Sequence, residues 1–166
     1  GVGAFGEAMS NLKLLNIIDP IKDQILSNKK PILGICLGMQ LLAESSEEKG
    51  NHQGLGLIEG TVKKIKTLET YRLPHIGWND IKILKKEPLF NSIISEDAFY
   101  FVHSYEFKAS REYISSYTDY GKDITASVQK NNIFGVQFHP EKSQTAGLIV
   151  IRNFLKHIEQ SIQSRC

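Results

Sequence analysis

Cysteine is scarce. Cys36 and Cys166 are the only two in the chain, which excludes a disulfide framework and makes a reducing compartment the expectation. An excess of charge of either sign is missing too. Twenty Lys and Arg stand against 18 Asp and Glu, a net charge of +2, which gives no case for nucleic acid or a membrane surface as partner. Lys63, Lys64 and Lys66 read as a solvated strand edge. No apolar run is long enough to span a bilayer, so a cytoplasmic location is the expectation. Repeats, low-complexity tracts and linkers are also absent. What remains is an ordinary globular composition over 166 residues, enough for one core and read as a single domain, 1–166. Gly1-Val2-Gly3-Ala4-Phe5 reads as the middle of a strand-to-loop segment, and the expectation is a chain incomplete at its N-terminus.

Against this background one stretch stands out, Pro31-Ile32-Leu33-Gly34-Ile35-Cys36-Leu37-Gly38-Met39-Gln40-Leu41-Leu42. An apolar run climbs to Gly34, a cysteine sits midway between two glycines, and a helical apolar pattern follows. The reading is strand, sharp turn, helix, with a thiol at the turn, the cysteine form of a nucleophile elbow. Free N–H groups at the start of the helix favour the thiolate. The N–H of Leu37 is placed to hold a developing oxyanion. A lone cysteine in an apolar run is more often a buried structural thiol, so the case needs a partner. Phe138-His139-Pro140-Glu141-Lys142-Ser143 supplies one. His139 follows an apolar run, Pro140 fixes the backbone after it, and Glu141 can point to the same side as the imidazole. A Cys-His-Glu triad is the reading; the bland one for His139 is a satisfied strand-end histidine.

In order along the chain, helices are expected from Glu7 to Ile18 and from Asp19, as N-cap, with Pro20 in its first turn. The elbow strand Pro31–Ile35 and a helix to about Ser46 come next, then a polar loop from Glu47 to Gly56. Strands are expected at Gly60–Ile65, His75–Leu84, Ala98–His103 and Ile114–Tyr117. A hairpin should join Ile124–Val128 to Ile133–Phe138 through Lys130-Asn131-Asn132. A last helix, Thr145–Ile162, should bury Leu148, Ile151, Phe154, Leu155 and Ile158. This order suggests a three-layer α/β domain with the elbow strand in a parallel core and an antiparallel section in mid-chain. Sites in such folds gather at the carboxyl ends of strands, which Cys36 and His139 both follow.

Gly34-Ile-Cys-Leu-Gly-Met-Gln40 together with Phe138-His-Pro-Glu141 resembles the class I (triad) glutamine amidotransferases. Pro74-His-Ile-Gly-Trp-Asn79, Tyr100-Phe-Val-His-Ser-Tyr105 and Gly135-Val-Gln-Phe-His-Pro-Glu-Lys-Ser143 are similar to the glutaminase subunits of imidazole glycerol phosphate synthase. The likeness covers the whole chain in the right order. It implies a flavodoxin-like α/β/α fold with a mixed, largely parallel central sheet, lacking the family's first βα units in this chain.

The resemblance also implies a mechanism and a partner. Cys36 would attack the side-chain amide of glutamine, His139 would move the proton, and Glu141 would hold His139. Val2 and Gly3 match the family's oxyanion strand, beside Leu37. Gly3, Gln40, His103, Ser104 and Tyr105 match positions lining the glutamine pocket. No cofactor or metal is implied. Ammonia would pass to a cyclase subunit, a (β/α)8 barrel, in a heterodimer serving histidine biosynthesis. Trp78, Tyr100 and Lys142 match that interface; by residue type alone Trp78 reads as core, Tyr100 as sheet packing and Lys142 as a solvated charge. Alternatives are a paralogous partner that aminates a sugar, a Cys-His γ-glutamyl hydrolase on the same fold, and a non-catalytic scaffold.

Overall fold

The computed structural model describes residues 3–66, 71–94 and 96–163. Two helices open the chain, α1 (Phe5–Leu14) and α2 (Ile18–Leu26). The elbow follows as β1 (Ile32–Ile35) and α3 (Leu37–Leu41). Short strands β2 (Ser45–Ser46) and β3 (His52–Gln53) lead to β4 (Gly60–Lys64), β5 (His75–Asp80) and β6 (Lys82–Ile83). Then come β7 (Ala98–His103), β8 (Tyr105–Ala109), β9 (Ile114–Asp119), β10 (Asp123–Lys130) and β11 (Ile133–Val136), closed by α4 (Gln144–Gln163).

A five-stranded sheet in the order β1-β11-β10-β9-β6 carries the fold. Side chains alternate between its two faces along each strand, except in β10, where a register shift around Ser127 puts Ala126 and Val128 on opposite faces. Ile32, Val128 and Ile133 join Phe5, Ile25, Met39 and Leu42 in a core under α1, α2 and α3. Leu33, Ile35, Ala126, Phe134 and Val136 face the other way, into a core with Phe99, Phe101, Phe138 and Val150. Three layers result, as expected. The α/β class and mixed sheet are also as expected. The parallel share is small: among the described strands only β1 with β11 and β2 with β4 run parallel. The other six pairs are antiparallel, and three of them, β2–β3, β9–β10 and β10–β11, are joined by short connections.

Four local expectations change. Asp19 is not the N-cap of α2; Ile17 is, its carbonyl accepting from Ile21 N–H at 3.0 Å. The elbow helix stops at Leu41 because its terminal carbonyls are taken from outside. Leu55 N–H donates to Leu41, Leu57 N–H to Leu42 and Gly56 N–H to Ala43, and Ser45–Ser46 then pairs with β4. The strand expected from His75 to Leu84 splits at buried Ile81, with β5 pairing β7 and β6 pairing β9. The buried face of α4 is Ala146, Gly147, Val150 and Asn153, while Leu148 and Leu155 are 65% and 53% exposed. The close approach of Gly147 to the Pro140 carbonyl and the bonds from Asn153 Nδ2 to the Leu89 and Asn91 carbonyls set that rotation. The strand β8 was not anticipated.

Candidate active site

Strand β1 delivers Cys36 into a strained turn, with φ 51° and ψ −109°. A non-glycine residue holds such a conformation only where its surroundings impose it. Here Cys36 N–H is tied to the Val136 carbonyl at 2.8 Å, and its own carbonyl takes the N–H groups of Met39 and Gln40. Gly34 is a steric requirement. A Cβ there would lie 2.6 Å from the backbone C and O of Gly38 and 2.7 Å from Met39 N.

The sulfur is almost enclosed, with Cys36 8% exposed. Burial pushes the thiol pKa up, and the Leu37 N–H and the Gln137 amide, both directed at the sulfur, pull it back without cancelling the rise. The resting thiol donates weakly to the Val102 carbonyl at 4.0 Å.

His139 ends the strand-to-turn passage after β11. Its N–H donates to the Tyr100 carbonyl at 2.9 Å, and its carbonyl accepts from Ser143 Oγ at 2.6 Å. Pro140 starts a single 3-10 turn, Pro140–Lys142, which brings Glu141 back beside the ring. Glu141 Oε1 meets His139 Nδ1 at 2.7 Å. Partial burial works to raise the Glu141 pKa; the His139 hydrogen bond and the Lys142 charge outweigh it and hold it low. A carboxylate on Nδ1 leaves Nε2 as the working nitrogen. That atom is buried and has no hydrogen-bond partner among the described residues, an uncommon state for a buried polar group.

A cleft of about 460 Å³ gathers Gly3, Cys36, Leu37, Gln40, His103, Ser104, Tyr105 and His139. Every expected nucleophile, base and pocket residue that falls among the described residues therefore borders one space, with Glu141 joined to it through His139. Val2 lies outside the described residues. Gly3 is at φ 118°, with no atom of the described residues within 4 Å of a would-be Cβ.

Two of the expected pocket residues are committed to the protein itself. Gln40 Nε2 donates to the Tyr105 carbonyl at 3.1 Å and to Gln137 Oε1 at 3.0 Å. His103 Nδ1 bonds the Tyr105 carbonyl at 2.8 Å, so that nitrogen carries the proton. His103 Nε2 then accepts from His75 Nδ1 at 3.0 Å, and His75 Nε2 faces Asn79 Nδ2 at 3.4 Å. Burial lowers the pKa of His75 to about 4 and that of His103 to about 3, which keeps both rings neutral near pH 7.

Sequence reasoning missed three polar side chains at the cleft or the sulfur. Glu48 and Lys49 line the cleft, and Glu48 Oε2 accepts from Phe5 N–H at 2.7 Å; nothing local in a polar loop distinguishes them. Gln137 was signalled by being a primary amide at the end of an apolar run. Among the described residues no cluster of three or more His, Cys, Asp or Glu is arranged to hold a metal ion.

The three expected interface residues form a row, Trp78 and Tyr100 on the outer face of the β5–β7 pair and Lys142 on the Pro140–Lys142 turn against Tyr100. Trp78 is 49% exposed and lies opposite Tyr100 in register, with ring centroids 5.9 Å apart. Lys142 Nζ stands 5.6 Å from the Tyr100 ring centroid. Trp78 is therefore not the core residue its type alone suggests.

The sequence model of the class-I glutamine amidotransferases matches residues 7–158. The imidazole glycerol phosphate synthase subunit HisH 1 of Campylobacter jejuni is 51% identical over 156 residues, covering 94% of this chain and 78% of its own. The HisH subunit of Methanocaldococcus jannaschii is 47% identical over 159 residues, covering 94% and 77%. A crystal structure of a glutamine amidotransferase, 18% identical, shares the fold with a TM-score of 0.69 over 95% of this chain and 76% of that one. The chain belongs to the class-I glutamine amidotransferase family and, within it, to the imidazole glycerol phosphate synthase HisH subunits.

Proposed function

We propose that this chain hydrolyses glutamine to glutamate and ammonia at Cys36 and hands the ammonia to a partner subunit that builds imidazole glycerol phosphate in histidine biosynthesis. The observation that carries the reading is the free Nε2 of His139, buried at the cleft that holds the Cys36 thiol and oriented from behind by Glu141. In the reaction, His139 Nε2 takes the thiol proton as Sγ attacks the amide carbon. The oxyanion that forms turns to the Leu37 N–H, with Gly3 and its neighbour Val2 as the second donor segment. His139 gives its proton to the amide nitrogen, ammonia leaves, and a glutamyl thioester remains. Water deprotonated by His139 then releases glutamate and restores the thiol.

Glu48 is the one carboxylate lining the cleft among the described residues, and it suits the α-ammonium of an amino-acid substrate. Ser104 and Tyr105 border the same wall. The partner is a (β/α)8-barrel cyclase seated on the Trp78, Tyr100 and Lys142 row, forming a heterodimer in the cytoplasm. No helix among the described residues is long and apolar enough to cross a membrane.

Glutamate release measured with and without a cyclase subunit tests the proposal. Cys36→Ala should abolish glutamine-dependent synthesis and leave ammonia-dependent synthesis by the partner intact. Hydrolysis that persists in Cys36→Ala refutes the nucleophile assignment. Hydrolysis of γ-glutamyl peptides in place of glutamine refutes the substrate.

A further inference from the structure

Gln137 sits where a primary amide is rarely found. It is fully buried after β11, between the core residues Val136 and Phe138. A group so placed must have its polar atoms bonded or it lowers stability. Its Oε1 accepts from Gln40 Nε2 at 3.0 Å, and its Nε2 donates to Cys36 Sγ at 3.6 Å.

That orientation is imposed by the neighbours. The Tyr105 carbonyl can only accept, so Gln40 must present its NH2 there, and the same nitrogen reaches Gln137. Gln137 answers with its oxygen, which turns its own NH2 to the sulfur. The Tyr105 carbonyl also takes the His103 proton, and His103 is held through His75 by Asn79. Asn79 in turn donates to the Asp119 carbonyl at 2.7 Å. The sulfur thus stands at the end of a hydrogen-bonded chain anchored in β5.

With Cys36 taken as the nucleophile, we infer that Gln137 is a second catalytic residue, whose amide N–H holds the Cys36 thiolate. With Cys36 8% exposed, little water reaches the sulfur to stabilise its charge. A fixed N–H bonds an ionised acceptor more strongly than a neutral one, so it favours the thiolate over the thiol. Leu37 N–H is the other donor at the sulfur, but it is needed elsewhere once an oxyanion forms. Gln137 stays on the sulfur throughout, leaving Leu37 to the oxygen.

The test is the pH dependence of iodoacetamide alkylation at Cys36, resolved from Cys166 by peptide mass spectrometry. It is read on the full chain in Gln137→Met, which keeps the length and lacks the donor, and in Gln137→Leu, which lacks both amide atoms and adds no charge beside the sulfur. Far-UV circular dichroism establishes folding. Both variants should move the alkylation midpoint upward by about one pH unit, roughly a tenfold slower reaction at fixed pH below it. The turnover rate should fall by roughly tenfold with KM little changed. Gln40→Met, which removes the brace and leaves Gln137 in place, should move the midpoint the same way by less, and it decides the matter if neither Gln137 variant folds. A folded Gln137 variant with the wild-type alkylation profile, or a wild-type profile in Gln40→Met where it is the deciding variant, overturns the assignment. Alkylation needs no glutamine, so this result is independent of whether Cys36→Ala abolishes hydrolysis.

Discussion

Alanine at two glycines two residues either side of Cys36 should have opposite effects, and the difference can be worked from the elbow. At Gly34 an added Cβ lies 2.6 Å from the Gly38 carbonyl carbon and oxygen, short of ordinary contact by about 0.8 Å. The obstacle is backbone, so no rotamer relieves it. Strand β1 and the start of α3 must part by most of that distance. Overpacking of this kind costs about 1–3 kcal/mol, and each kcal/mol lowers the melting temperature of a chain this size by about 2–4 °C. The same shift carries Cys36 and the Leu37 N–H away from His139. A misplacement near 1 Å can cost on the order of a hundredfold in turnover. At Gly38, by contrast, no atom of the described residues lies within 4 Å of the new Cβ, and alanine in a helix is favoured over glycine by up to about 1 kcal/mol. Gly38→Ala should therefore melt at or slightly above the wild type. Thermal melts followed by circular dichroism, paired with glutaminase kcat and KM, read both effects. The reasoning fails if Gly34→Ala keeps the wild-type melting temperature and kcat, or if the two variants lose stability equally.

Other expectations follow from the same geometry. On the proposed mechanism His139→Ala should lose roughly 10²–10⁴-fold in kcat, since it removes the proposed base; Glu141→Gln should lose less, because the proposed role of Glu141 is to orient the ring without transferring a proton, and the reverse order in steady-state rates would contradict the triad. For His75 and His103 the folded pKa values, about 4 and about 3, lie below the usual 6.5, so the unfolded chain binds more protons between these limits. Stability should be full above about pH 6.5 and fall toward pH 4, by at most roughly 1.4 kcal/mol per pH unit for each ring. Urea midpoints across that range check the slope, and a flat profile would mean that the pair is not held neutral. Lys142→Ala removes an exposed cation–π contact worth about 0.5–1 kcal/mol, so the melting temperature should hardly change while affinity for the cyclase drops in a direct binding titration; a large melting shift with unchanged affinity would make Lys142 structural.

The geometry of the elbow was legible because it is local. Gly34, Cys36 and Gly38 fall within one strand-turn-helix unit, and the backbone needs of that unit are written in adjacent residue types. His139, Pro140 and Glu141 are likewise a single turn. The hairpin of β10 and β11, the strand β7 and the existence of α4 could be read for the same reason, through short periods and turn residues. The tertiary structure decided what rests on distant partners. Helix α3 ends at Leu41 because Leu55 to Leu57 occupy its last carbonyls. Helix α4 buries Gly147 and Asn153 in place of Leu148 and Leu155 because the Pro140 turn and the Leu89 and Asn91 carbonyls meet that face. Trp78 lies on the outer face of a strand pair, which its residue type alone could not have told. Gln40 and Gln137 touch across 97 positions of sequence, and hydrogen bonds, being short and directional, leave no trace in local pattern until the fold brings donor and acceptor within reach.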